Sequence, residues 1–115
     1  MFWKRPKKLE ITPAGLAAVN TEDFRWWLVS KAEELREAGR TPEEGYTCLS
    51  VCVAMTLTGQ PKVTRRLVPF MNAHHRLIHA VIQETVAMAR EEAAIHEQGL
   101  CEECAAEAQR ATYVN

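Results

Sequence analysis

The chain has 115 residues, of which 47% are hydrophobic and 25% charged, and its formal net charge is -1. This is the composition of an ordinary globular chain of one domain, and its charge argues against a protein whose whole surface is built to bind nucleic acid. The most apolar run, residues 48–57, is too short to cross a membrane, and no apolar core of a secretory signal follows the N-terminal charges. We therefore expect a cytoplasmic protein. Its abundant alanine, and its arginines outnumbering its lysines, are typical of a GC-rich bacterial or phage genome.

The chain begins with a basic and aromatic arm, assigned to residues 1–8, ahead of a single helical domain over residues 9–115. Besides Trp3, the arm contains four basic residues, Lys4, Arg5, Lys7 and Lys8. A second basic segment, residues 62–66, contains Lys62, Arg65 and Arg66. A frayed terminus is the ordinary interpretation of the arm, and solvated charge is that of the second segment. Both segments are also the candidate nucleic-acid surface, because basic side chains bind phosphates and aromatic rings stack on bases.

Short polar caps predict the first two helices. Thr12, followed by a proline, predicts a short helix over residues 13–19. Either Asn20 or Thr21 caps a second helix, whose first turn is acidic and which Gly39 ends.

The second predicted helix carries two tryptophans on different faces. Its apolar side chains share one side: Phe24, Trp27, Leu28, Ala32 and Leu35. At 100° per residue, Trp26 points roughly 160° away from Leu28, among polar side chains. A tryptophan on a polar face either covers a neighbouring helix or binds another chain, so Trp26 and Trp3 are the candidate partner-binding residues.

The third helix has the clearest local signal in the chain. Residues 41–44, Thr-Pro-Glu-Glu, form a capping box with proline at the first helical position. The helix should run to Thr58 and stop at Gly59. Because it is apolar on nearly all sides, we expect it to be the buried centre of the fold, with a buried strand as the lesser alternative.

The longest element is predicted as one helix over residues 69–98. Pro69 can begin it, Gly99 can end it, and no glycine or proline lies between them. On this helix His75 and His79 are four residues apart, as in a metal-binding pair, but with no third ligand close by a solvated flank is the better interpretation.

A last helix is predicted at about residues 101–111. The predicted fold class is therefore all-α: a small orthogonal or up-down bundle of four to five helices built on the long helix.

The four cysteines occur in two close pairs, Cys48 with Cys52 and Cys101 with Cys104. Two such pairs suit a tetrahedral structural zinc site, or an iron–sulfur cluster, if the last helix folds back. Reduced cysteines without metal are an equally weighted interpretation, because cysteine often serves as a small core residue. The third interpretation is a disulfide between cysteines of different helices, or a redox pair formed by Cys101 and Cys104.

No phosphate-binding loop, dinucleotide turn or zinc-protease helix occurs in the sequence, and we do not expect an enzyme. We expect a small intracellular adaptor or regulatory module that binds another protein or itself as a homodimer, without membrane attachment. The alternative is a transcriptional regulator that binds nucleic acid through the arm and the 62–66 loop. The acidic last third of the chain argues against that alternative.

Overall fold

The structure, a computed structural model, describes residues 8–97 of the chain. Five helices make up 78% of these residues, and none of them is in a strand, which confirms the all-α prediction. The helices are α1 (Pro13–Val19), α2 (Glu22–Glu37), α3 (Pro42–Thr58), α4 (Leu67–Ala73) and α5 (His75–Glu97). The predicted helix at about 101–111 and the C-terminal end of the predicted domain 9–115 lie outside the described residues.

Local capping sets the beginning of the first three helices, as predicted. The hydroxyl oxygens of Thr12, Thr21 and Thr41 each accept a hydrogen bond from the backbone N–H three residues later, at 2.9, 3.2 and 3.2 Å. Each bond satisfies a donor that the first turn of a helix leaves unpaired. At the other end of α3, Gly59 has the left-handed φ of 70° that favours glycine, and its N–H donates back to Thr56 O.

Residues 8–85 form one compact unit in which α3 contacts α1, α2 and α4. The core-facing side of α3 is a single buried stripe: Leu49, Ser50, Val53, Ala54, Leu57 and Thr58. The hydroxyls of Ser50 and Thr58 donate to the carbonyls of Tyr46 and Ala54, each at 2.8 Å, so their burial leaves no donor unpaired. The central position of α3 agrees with the prediction. The helix is not buried on nearly all sides, however, since Cys48 on the face opposite the buried stripe is exposed.

Helix α1 lies directly on the backbone of α3. The N–H and the hydroxyl of Thr12 both donate to the carbonyl of Leu57, at 2.9 and 3.3 Å. Gly15 is buried at this contact, and a Cβ there would stand 2.7 Å from the carbonyl carbon of Leu57 and closer still to the carbonyl oxygens of Thr56 and Leu57. The absence of a side chain at Gly15 is therefore what allows the two helices to approach.

The long helix predicted over residues 69–98 is instead two helices, α4 and α5, separated at His74. The backbone of His74 has φ -117° and ψ 24°, outside the helical region, while its N–H still donates to Phe70 O at 3.0 Å. Burial explains the break. On a continuous helix Phe70 and Ile82 would point roughly 120° apart, whereas here their side chains are both 3% exposed.

Helix α4 also begins earlier than predicted, at Leu67, so Pro69 is its third residue and not its first. This position tolerates proline because the first-turn N–H groups have no partner within the helix.

The C-terminal part of α5, residues 86–97, belongs to a second compact unit. There the exposed side chains of Glu92 and His96 are in contact, with Oε1 and Nε2 3.2 Å apart.

Candidate functional site

The two cysteines of α3 are free thiols on the face of the helix away from its buried stripe. Cys48 is exposed and Cys52, one turn later, is half-buried. Burial raises the pKa of the Cys52 thiol, and the neighbouring Cys48 raises it further. Within residues 8–97, no three histidine, cysteine or acidic side chains are placed to hold one metal ion. Cys101 and Cys104, the other half of the predicted zinc site, lie outside the described residues, and the metal site stays a prediction.

Of the two tryptophans of α2, Trp26 is more buried and Trp27 more exposed than the helical pattern suggested. Trp26 is half-buried, and its indole N–H points to Glu22 Oε1 at 3.4 Å. Trp27 was expected on the packing side with Leu28, yet 44% of it is exposed. The physical reason is that α2 is centred on Leu28, which is fully buried, and Trp27 lies about 100° around the helix at the edge of that contact. Partner binding by Trp26 stays a prediction, and Trp3 lies outside the described residues.

Two neighbouring groups hold the exposed ring of Trp27 in place. Phe24, one turn earlier on α2, stacks on it with the ring centroids 5.9 Å apart and the planes 25° from parallel. The ammonium of Lys31, one turn later, stands 5.5 Å from the Trp27 centroid, within cation–π range. Trp27 is thus a rigid aromatic surface, which costs little conformational entropy to bind.

Beside Trp27 is an open depression between α2 and α3, which we call the Trp27 groove. Its volume is about 370 Å³, and it is lined by Trp27, Cys52, Met55, Thr56, Gly59 and Gln60. Towards the α2–α3 turn a second depression lies beside Leu35 and Cys48. Lys31 and Arg40 near these depressions are paired with Glu34 at 3.1 Å and with Glu44 at 3.2 Å, and none of the described residues that line the Trp27 groove is charged. The groove therefore offers apolar and soft sulfur surface with little net charge around it.

One described residue from each predicted basic segment lines a common pocket. Lys62 and Arg65 are exposed, whereas Arg66 and Lys8 line one pocket beside α4. The sequence separation of Lys8 and Arg66 gave no sign of this meeting. Lys4, Arg5 and Lys7 lie outside the described residues.

The histidines of α5 are engaged within the protein. His79 Nδ1 lies 2.9 Å from the hydroxyl of Tyr46 on α3, and His75 Nδ1 lies 3.3 Å from the carbonyl of Asn72. Each therefore has a protein partner at its Nδ1 atom, and the expectation that this pair does not bind metal stays a prediction. Sequence reasoning missed the role of Tyr46, since nothing local relates it to a residue 33 positions later.

The chain matches no protein-family model, no curated protein and no solved structure. None of the five helices within residues 8–97 combines the length and the apolar character that a bilayer crossing requires.

Proposed function

We propose that this chain is a non-enzymatic regulatory module that acts by association with a second copy of itself, and that the Trp27 groove joins the two copies. One observation carries the proposal: an exposed, stacked tryptophan stands directly beside an open apolar depression. Tryptophan is enriched among the few residues that contribute most of the binding energy of a protein interface.

A second copy is the occupant that this surface fits best. In a two-fold interface the same patch meets itself, so it must contain both a projection and a hollow. The groove has both, with the ring of Trp27 on one side and the space between Cys52, Met55 and Gly59 on the other. The described lining of the groove is uncharged and Lys31 beside it is already paired with Glu34, so bringing two copies together does not oppose unpaired like charges at these positions.

The cysteine pair adds a structural metal to the proposal. Cys48 and Cys52 are one turn apart on one face of α3 and can present two sulfurs to one zinc ion, with Cys101 and Cys104 as the other two ligands. The raised pKa of Cys52 means that a bound cation has to stabilise its thiolate. In a reducing cytoplasm these thiols stay available. Elemental analysis of protein purified under reducing conditions, with thiol counting before and after a chelator, tests this part separately.

Sedimentation equilibrium of the full chain tests the self-association. We expect a dimer whose dissociation constant rises by at least about thirtyfold in the variant Trp27→Ala, because each interface loses two copies of a tryptophan that holds its centre. Trp26→Ala is the matched control, since it removes the same side chain one position earlier on the same helix. A second variant, Thr56→Arg, places a charge in the groove without removing packing.

Two results would overturn the proposal. One is a chain that remains monomeric up to about 200 µM, well above the micromolar range of ordinary specific association. The other is a dimer that Trp26→Ala dissociates while Trp27→Ala and Thr56→Arg leave it intact, which would assign the interface to the face of α2 that carries Trp26, about 100° around the helix from Trp27. Far-UV circular dichroism of each variant distinguishes loss of association from loss of folding.

A further inference from the structure

One face of α3 carries three sulfur atoms in a line, and we call it the sulfur face. Its residues are Cys48, Cys52 and Met55, whose spacings of four and three place their side chains within about 60° of one another on the helix. The buried stripe of α3 lies on the other side, so none of the three belongs to the buried core. Cys48 is exposed, whereas Cys52 and Met55 are half-buried in the Trp27 groove.

The spacing of the two thiols suits a shared metal ion and not a disulfide. Cβ atoms four residues apart on a helix are about 5–6 Å from each other, whereas a disulfide needs about 3.8 Å. Two sulfurs bound to one ion can be as much as about 4.6 Å apart, since each metal–sulfur bond is about 2.3 Å long. Both thiols are free, so side-chain rotation at Cys48 and Cys52 is enough to bring the sulfurs to that separation.

Met55 adds a third soft donor to the sulfur face. It lines the Trp27 groove together with Cys52, and its flexible unbranched side chain can turn towards the thiols without movement of the backbone. None of the described residues that line this groove has a carboxylate or an imidazole. Glu44, one turn before Cys48, is already bonded to Arg40 and to the hydroxyl of Thr41. The donors on this face are therefore thiols and a thioether, which select soft metal ions.

We propose that the sulfur face binds one Cu(I) ion, with Cys48 and Cys52 as thiolate ligands and Met55 as the third ligand. The two thiols lose their protons to solvent as two copper–sulfur bonds form, and copper remains Cu(I), so no oxidant or reductant takes part.

Cu(I) fits this face better than zinc because two or three soft ligands satisfy it, and α3 supplies all of them. A zinc ion at the same pair of thiols needs four ligands, two of which would have to come from Cys101 and Cys104. The copper site goes beyond the proposed self-association and does not depend on it, because its three ligands belong to one copy.

Copper titration of a full-length variant without the C-terminal thiols tests the site. Cys101→Ser with Cys104→Ser leaves Cys48 and Cys52 as the only thiols of the chain. Cu(I), kept reduced with ascorbate under nitrogen, is added in competition with a chromogenic Cu(I) chelator. We expect one Cu(I) per chain, which an equal amount of zinc should not displace. Alkylation followed by peptide mass spectrometry should show that bound copper protects both thiols.

Substitutions added to that variant assign the ligands. Cys48→Ser removes a thiol at an exposed position, where packing is not at stake, and it should weaken Cu(I) binding at least about a hundredfold. Met55→Leu keeps the size and apolar character of the side chain, and it should weaken binding about tenfold. Met71→Leu is the matched control, because Met71 is on α4 and lines a different depression. It should leave the affinity within about twofold.

The inference is wrong if the variant without C-terminal thiols binds no copper, or if bound copper leaves both α3 thiols open to alkylation. It is also wrong if Met55→Leu and Met71→Leu change the affinity equally, because the thioether on α3 would then not be a ligand. Retention of zinc by the wild type, with neither metal bound by the variant, would assign all four cysteines to one zinc site instead. A chain that stays monomeric and still binds Cu(I) through the α3 thiols would support the copper site while contradicting the self-association.

Discussion

The contact of Gly15 with the backbone of α3 predicts that its replacement by alanine is destabilising. Helical propensity alone gives the opposite sign, because alanine is more favourable than glycine inside a helix by about 0.5–1 kcal/mol. In this protein the new methyl group would stand 2.7 Å from the carbonyl carbon of Leu57, where a comfortable carbon–carbon contact needs about 3.5 Å. The obstacle is backbone, which cannot rotate away as a side chain can.

Helix α1 must therefore move away from α3 by roughly 1 Å. That movement takes the bond from Thr12 N to Leu57 O, now 2.9 Å, beyond the range of a good hydrogen bond, at a cost of about 1 kcal/mol. Overpacking adds about 1–3 kcal/mol. After subtraction of the propensity gain, the free energy of unfolding of Gly15→Ala should fall by about 2 kcal/mol, with Tm lower by about 10 °C.

Gly45 provides the matched control. It also lies inside a helix, α3, but a Cβ there has nothing within 4 Å. Gly45→Ala should therefore raise the free energy of unfolding by about 0.5–1 kcal/mol. Urea unfolding followed by far-UV circular dichroism measures both variants against the wild type. If Gly15→Ala is as stable as the wild type, or if both variants shift in the same direction, the close contact between α1 and α3 does not exist as described.

Three further predictions concern the cap, a thiol and an ion pair. Thr41→Ala should lower the free energy of unfolding by about 1 kcal/mol in urea titrations. Hydrogen bonds from the Thr41 backbone and hydroxyl hold the pKa of Glu44 below its ordinary value, so NMR titration of the variant should show this pKa moving back towards normal. In the wild type, the stability linked to Glu44 is fully present at a pH above its ordinary pKa and is lost as the pH falls through its lowered pKa. Because burial raises the pKa of the Cys52 thiol, peptide mass spectrometry should show slower alkylation of Cys52 than of the exposed Cys48. The stability linked to Cys52 should decline as the pH rises from the pKa of the unfolded state through the raised pKa of the folded state. Arg25 Nη2 donates to Glu84 Oε2 at 2.6 Å, and a double-mutant cycle with alanine should give a coupling free energy of about 0.5 kcal/mol for this pair. Solvent screens the pair, so a coupling free energy that stays unchanged in about 1 M salt would contradict this description.

Several features of the fold could be predicted because their causes lie within a few residues along the chain. A threonine hydroxyl reaches an amide three positions later, so the starts of α1, α2 and α3 follow from Thr12, Thr21 and Thr41. The end of α3 follows from Gly59, whose left-handed conformation is costly for other residues. The all-α class follows from the sum of such signals and from helical periodicity.

Other features depend on contacts between residues far apart in sequence, and only the tertiary structure decided them. The break at His74 arises because Phe70 and Ile82 must both be buried in one core, although no glycine or proline marks the place. Trp27 is exposed because the packing of α2 centres on the neighbouring Leu28.

The surface pockets show the same division. The residue types of the Trp27 groove and of the pocket beside α4 are visible in the sequence, but their neighbours are not. Lys8 and Arg66 are separated by most of the helical unit, and Trp27 meets Met55 only through the α2–α3 hairpin. Local chemistry determined where the helices begin and which side chains are available, whereas the burial of a shared core determined which of those side chains meet and which remain open to solvent.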